Sequence, residues 1–334
     1  HDHHPTIEGP KFYKRNGYYY IFAPAGGVTY GWQAVLRSQN IYGPYQDKIV
    51  MDQGQTKING PHQGAWVELS NSENWFIHFQ DKYSYGRIVH LQPMKWENDW
   101  PVIGIDFDQN GIGEPVEKFN FPNLPLTNIK LKKSDDFNEL KLEHQWQWQA
   151  NFDESWFSLN KRKGCLRLFS KFNNDKNLYN EPALLLQKFP DEKFSAIVKV
   201  DLNGLKEFSR GGLIIFGKDY FTLSIKKENN NFKIYQTSCI NADKNVEEEM
   251  LAEKYYNEKI IYLKVNVENE MDEKLIPLAK CIFSFSKDGK TFEQIGKSCF
   301  AKEGIWVGAK LGLFCVSENE NKNSFLNFDW ININ

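Results

Sequence analysis

The chain has 334 residues, 15% of them aromatic, and a formal net charge of −2. That aromatic content excludes a disordered tail, and the balanced charge gives no electrostatic footprint for nucleic acid or an anionic membrane. No stretch approaches the ~18 consecutive apolar residues that a membrane helix needs, and the length allows two domains of ordinary size.

Short aromatic or β-branched runs at 18–22, 33–37, 75–79 and 87–91, mostly bounded by Gly, Asn or Asp, predict strands. No amphipathic helix of ordinary length is expected before about residue 130. This first part repeats itself. Gly9-Pro10 recurs as Gly60-Pro61, 51 positions later. Each pair is followed by a polar turn, Arg15-Asn16-Gly17 or Ser70-Asn71-Ser72, then an aromatic strand, then a further strand. A period near 50 built of short strands is the signature of propeller blades. Two blades do not close a ring, which takes at least ~4. The chain begins at His1 without an initiator Met, so the remaining blades are expected upstream, in a longer protein.

Pro115, Pro122 and Pro125 break regular structure, and the charged stretch from Lys130 to Asp136 reads as a linker, placed over 126–140. The chain is thereby divided into a propeller part, 1–125, and a second domain, 141–334. In that domain strands are predicted at 165–169, 183–186, 196–202, 213–216, 221–225, 232–235, 261–267, 282–285, 311–316 and 325–330. So many short strands, separated by turns such as Lys287-Asp288-Gly289-Lys290, predict a β-sandwich. The five cysteines lie in this half, mostly in apolar runs, and read as buried thiols.

Several residues carry potential chemistry. Glu8, taken alone, reads as a solvated carboxylate entering a turn. If Glu8 opens one blade and His62 the next, both face one axial funnel. Aromatic walls there disfavour the charged form of a carboxyl, which suits a general acid. His62, within Gly60-Pro61-His62-Gln63-Gly64, is either a hydrogen-bonded core histidine or an axial one bound to water or a metal's hydration shell. His78 and His90 read as structural, and His1, His3 and His4 as a frayed end. Arg87 is a surface charge or a donor to sugar hydroxyls. Trp32, Tyr30, Trp66 and Trp75 are either sugar platforms or blade packing.

Together these segments resemble glycoside hydrolase family 43, the five-bladed propeller β-xylosidases and α-L-arabinofuranosidases. The matching text is Glu8-Gly9-Pro10-Lys11-Phe12-Tyr13-Lys14, Gly17-Tyr18-Tyr19-Tyr20, Arg37-Ser38 with Gly43-Pro44-Tyr45, His62-Gln63-Gly64, Gly86-Arg87 with Leu91-Gln92-Pro93, and Trp100-Pro101-Val102-Ile103-Gly104. The rest resembles the concanavalin-like sandwich that follows the propeller in many members, through Gln145-Trp146-Gln147-Trp148, Leu166-Arg167-Leu168, Gly308-Ala309-Lys310-Leu311-Gly312-Leu313 and Phe328-Asp329-Trp330.

The resemblance implies an all-β chain, a partial five-bladed propeller of about two blades followed by the sandwich. It implies inverting hydrolysis of xylo- or arabino-oligosaccharides, with no organic cofactor, no nucleic acid and no membrane as partner. Glu8 takes the place of the general acid, and Arg87 that of the substrate-contacting arginine. His62 stands at the propeller axis, a water away from a calcium ion. Trp306 corresponds to an aromatic that reaches from the sandwich toward the sugar, the alternative being a Trp packed inside the sandwich; Trp32 is a further candidate sugar contact. The base and a second Asp that tunes the acid would lie in the upstream blades, Asp2 being too near Glu8 to be either. The chain by itself is then expected to be inactive, and the choice between xylose and arabinose to rest on pocket walls from the same blades. The competing readings are a carbohydrate-binding module without chemistry, on analogy of fold alone, and a sandwich that only braces the propeller.

Overall fold

The computed structural model describes residues 3–125, 131–320 and 323–334. His1, Asp2 and Lys130, and with them the start of the expected linker, lie outside the described residues. The described chain is nearly all β and divides into two compact units, 3–82 with 87–125 and 83–86 with 131–334.

In the first unit β1 (Lys11–Arg15), β2 (Tyr18–Ala25), β3 (Trp32–Ser38) and β4 (Gln46–Met51) form one antiparallel sheet in chain order. The second sheet, β5 (His62–Glu68), β6 (Asn74–Asp81), β7 (Arg87–Glu97) and β8 (Trp100–Ile103), has the same order. Four strands meandering in sequence make a propeller blade, so the sequence repeat is a repeat of blades. The first hairpin forms because Asn16 and Gly17, at φ 48° and 80°, supply the left-handed pair that a two-residue turn between twisted strands requires. The only α-helix in this unit's described residues is the single turn Gly27–Tyr30.

Tyr20, Phe22, Val35, Val50 and Met51 of the first sheet meet Phe76, Met94 and Ile103 of the second in one buried cluster. Each contributes roughly 1.5–3 kcal/mol by leaving water. At the rim Tyr20 donates its hydroxyl to Asp99 O at 2.9 Å, and Arg37 lays its guanidinium on Trp100 at 4.2 Å while donating to Asp99 O at 3.1 Å. Trp66 and Trp75 pack within the blades, Trp66 edge-on to Trp96 at 5.0 Å and Trp75 only 6% exposed. The other face of the second sheet is different. Ile77 pairs with Leu91 and Phe79 with Val89, and Ile77, Val89 and Leu91 are exposed.

The second unit is a sandwich. One sheet runs Phe157–Ser158, Leu166–Phe169, Phe325–Ile333, Phe194–Asp201, Ile260–Met271, Pro277–Ser286 and Glu293–Gln294, with Cys299–Ala301 also on Pro277–Ser286. The other runs Glu249–Tyr256, Asn231–Cys239, Tyr220–Glu228, Ser209–Phe216, Lys310–Ser317, Leu185–Lys188 and Gln147–Trp148, with Lys171–Phe172 parallel to Lys310–Ser317. Alternate residues such as Val198, Leu263 and Phe283 from the first sheet and Leu213, Leu223 and Leu313 from the second fill the space between. A smaller cluster, with Ile214, Phe216, Tyr220 and Phe314, lies on the far face of the second sheet under Leu178 and Ala242. All five cysteines are buried and free, as expected of packing thiols.

Four residues from the β6–β7 connection belong to this second unit. Tyr85 is 8% exposed in the sandwich core, and Ser84 O accepts from Ala309 N at 2.7 Å. Gly86 and Gly308 approach so closely that a Cβ on either would lie within 2.7 Å of the other's backbone nitrogen.

Candidate active site

Glu8 precedes β1 in an extended segment, held by its N–H to Pro24 O at 3.1 Å. His62 opens β5 and is 1% exposed. The pairing of β5 with β6 shifts register between His62 and Ala65, a β-bulge in which Gln63 takes φ 51°. In a regular strand His62 and Gln63 would point to opposite faces. The bulge re-aims them, and both reach the same carboxylate. His62 Nε2 lies 2.5 Å from Glu8 Oε1, and Gln63 donates to that oxygen from 3.1 Å. Glycines flank the arrangement for steric reasons. A Cβ at Gly64 would enter the Phe76 ring at 2.1 Å, and one at Gly9 would meet the Gln63 amide at 3.0 Å.

Phe79 is the common support. It is the register partner of His62, meets the imidazole edge-on at 5.8 Å, and carries the Arg87 guanidinium over its ring at 4.6 Å. The structure thus brings three of the five candidate residues together, Glu8, His62 and Arg87. It adds Gln63, which stands in the His62-Gln63-Gly64 motif without an assigned role, and Phe79, the last residue of the strand expected at 75–79. The signal for Gln63 was its place between His62 and Gly64; nothing local marked Phe79.

The ionisation of Glu8 runs against expectation. Burial was expected to favour the neutral acid. Instead the Glu8 carboxyl is held below its ordinary value, first by the His62 hydrogen bond, then by Gln63, with the charges of His62 and Arg87 helping and burial opposing. The side chain is 52% exposed, so desolvation is too weak to prevail. With Glu8 ionised, His62 donates to it from Nε2. The other ring nitrogen, Nδ1, is buried and has no hydrogen-bond partner among the described residues.

That orphan nitrogen bears on the calcium expectation. Calcium takes six to eight oxygen ligands, and no group of three or more His, Cys, Asp or Glu side chains is gathered to hold a metal among the described residues. His62 therefore fits a calcium ion only through an intervening water hydrogen-bonded to Nδ1.

Trp32 sits elsewhere in the network. Its indole N–H donates to His4 Nδ1 at 3.1 Å, and His4 Nε2 meets Asp47 Oδ2 at 2.9 Å. His4, 7% exposed, is thus part of the fold rather than a frayed end. Among the described residues no hydrogen bond or ring contact joins Trp32 to Glu8, His62 or Arg87. Trp306, in the second unit, is 78% exposed at the tip of a turn closed by Gly304 N on Val307 O at 2.9 Å. It is not packed inside the sandwich, which removes the alternative reading. His78 and His90 stack on each other at 5.4 Å inside the second blade, in the structural role expected of them.

Comparison with known proteins adds an independent line. Residues 2–101 match the model of glycosyl hydrolases family 43, and residues 134–334 that of the beta-xylosidase C-terminal concanavalin A-like domain. A putative beta-xylosidase of Xylanibacter ruminicola is 36% identical over 92% of this chain and 55% of its own length. A beta-xylosidase of Formosa agariphila is 28% identical over 97% and 58%. The chain therefore spans a little over half the length of these curated relatives. Among solved structures, a bifunctional GH43-CE protein of Bacteroides eggerthii superposes with a TM-score of 0.81 at 26% identity, over 98% of this chain and 40% of that one. A GH43 protein of Bacillus licheniformis, at 24% identity, shares the fold with a TM-score of 0.83, over 98% of this chain and 65% of its own.

Proposed function

The chain belongs to glycosyl hydrolase family 43, and from that premise we propose that it is the acid-bearing portion of an inverting β-xylosidase or α-L-arabinofuranosidase. The substrates would be xylo- or arabino-oligosaccharides. The observation that carries this reading is the convergence of Glu8, His62 and Arg87 on one place. Glu8 is the general acid, giving a proton to the departing glycosidic oxygen. His62 and Gln63 fix the carboxyl's orientation, and Arg87 offers N–H donors to substrate hydroxyls while its guanidinium is seated over Phe79.

The same geometry argues that this portion does not act alone. The groups that set Glu8's ionisation are His62, Gln63 and Arg87, none of them a carboxylate, and together they favour the charged form. An acid catalyst needs the protonated form, and an inverting reaction needs a second carboxylate ~6.5–9.5 Å away to activate water. In our reading that base and a tuning carboxylate come from further blades. The exposed apolar face of Ile77, Val89 and Leu91 is of the kind a neighbouring blade would cover. Where the family implies calcium, a metal-bound water hydrogen-bonded to His62 Nδ1 would hold the imidazole with Nε2 toward Glu8.

Two measurements test this. The chain as it stands should release no nitrophenol from aryl β-xyloside or aryl α-L-arabinofuranoside; turnover by pure chain would remove the need for outside carboxylates. In a protein carrying the remaining blades, Glu8→Gln should slow hydrolysis of substrates with poor leaving groups by roughly 10²–10⁴-fold and of activated ones much less. Equal losses on both would take the acid role from Glu8.

A further inference from the structure

The second unit contains a pocket that the proposed reaction leaves unused. It lies on the far face of the second sheet, beside the Leu178 and Val316 end of the smaller apolar cluster, with a volume of about 310 Å³. That is the lower end of the range for small-ligand sites. Its floor comes from three adjacent strands, Arg210 opposite Lys226 on the first two and Tyr235 with Thr237 on the third.

Charge decides which ligand chemistry fits. The lining carries Lys176, Arg210 and Lys226 against Asp175, Glu248 and Glu318, three of each sign. Arg210 donates to Glu248 at 2.7 Å and Lys226 to Glu318 at 2.6 Å, while Lys176 meets Glu247 at 3.3 Å. Each cation is already answered, so an anion gains little by entering. A neutral ligand rich in hydroxyls suits such a wall, because every hydroxyl is at once donor and acceptor.

Two further features point the same way. Buried Tyr220 also donates to Glu248, at 2.5 Å, tying the half-buried Arg210–Glu248 pair into an Arg–Glu–Tyr network. Such a network holds donors and acceptors in fixed positions. Alongside these polar groups lie the half-buried ring of Tyr235 and the exposed side chain of Met250, an apolar strip on which the C–H face of a sugar ring can rest.

We propose that this pocket is a saccharide-binding site on the sandwich, independent of the Glu8 centre, for a short neutral sugar chain. The full chain is titrated calorimetrically with xylotriose, arabinotriose and cellotriose, and separately with inorganic phosphate. Saturable binding of at least one trisaccharide is expected, weakened about 10-fold by Tyr235→Ala and within about 2-fold of wild type in Tyr235→Phe, since a ring contact is worth roughly 0.5–1.5 kcal/mol. Thermal melting checks that the variants fold; should Tyr235→Ala fail, Met250→Ala removes part of the same strip and should weaken binding several-fold. Binding of none of the three sugars, binding that both variants leave untouched, or tighter binding of phosphate than of any sugar would overturn the proposal.

Discussion

Acid should loosen the first unit through His78. This residue lies in β6, 2% exposed, stacked between His90 at 5.4 Å and Phe76 at 6.4 Å. Burial pushes its imidazole down from 6.5 to about 4; the backbone bond to Phe79 O opposes this and the charge on His90 adds to it. The folded state therefore holds this ring neutral where the unfolded chain would protonate it. The stabilisation is fully present above the unfolded value near 6.5 and is lost progressively as pH falls toward the folded value of about 4. In full the difference is worth about 3 kcal/mol, and at about pH 5 roughly 2 kcal/mol has gone. Most carboxylates titrate below this window. Urea unfolding followed by hydrogen exchange of β6 and β7 amides isolates the first unit from the sandwich. Its midpoint should fall by ~1 M between about pH 7.5 and about pH 5. His78→Phe, which keeps a flat ring without a titrating nitrogen, should abolish most of that shift, and His78→Gln is the second probe should Phe pack badly. Equal acid sensitivity in wild type and variants would refute the reasoning.

Other consequences are simpler to read. Gly64→Ala should cost roughly 1–3 kcal/mol or more in denaturant melts, because its Cβ would fall 2.1 Å from the buried Phe76 ring; an unchanged melt would mean the bulge relaxes freely. His62→Asn removes the larger of the interactions holding the Glu8 carboxyl down, so carbon NMR should find it titrating nearer 4.5 than in wild type. Trp306→Ala should change stability by no more than ~0.5 kcal/mol, its side chain being mostly in water. If Trp306 touches sugar in the complete hydrolase, KM should rise with melting unchanged; an unaltered KM removes it from the site.

The two central strands of each blade were legible as short aromatic or β-branched runs, mostly bounded by Gly, Asn or Asp. The outer strands were not. Gln46–Met51 opens on charged and amide residues, and Trp100–Ile103 is four residues long. In the sandwich Glu249–Tyr256 was missed, an edge strand with five of its eight residues exposed, which carries no apolar period. The site divides similarly. Glu8, His62 and Arg87 stand in motifs whose spacing survives in the linear text. Gln63 acts through a left-handed backbone that its residue type does not announce. The direction of Glu8's ionisation depends on partners 54 and 55 positions away and on how much solvent reaches it, and neither is local.

Tyr83–Gly86 gives the protein an unusual inheritance. Recombination moves contiguous stretches of gene, yet the sandwich is not contiguous: its core includes Tyr85, encoded in a hairpin of the preceding blade. A sandwich transferred from residue 131 onward would arrive with a void where that ring belongs, a loss of the order of 3 kcal/mol or more. A blade transferred alone would carry a tyrosine with no core to enter, and Gly86 would have no Gly308 to approach. Natural exchange should accordingly have kept this blade and this sandwich together, and a chimera that pairs either with a foreign partner should need Tyr85 or its replacement supplied in place.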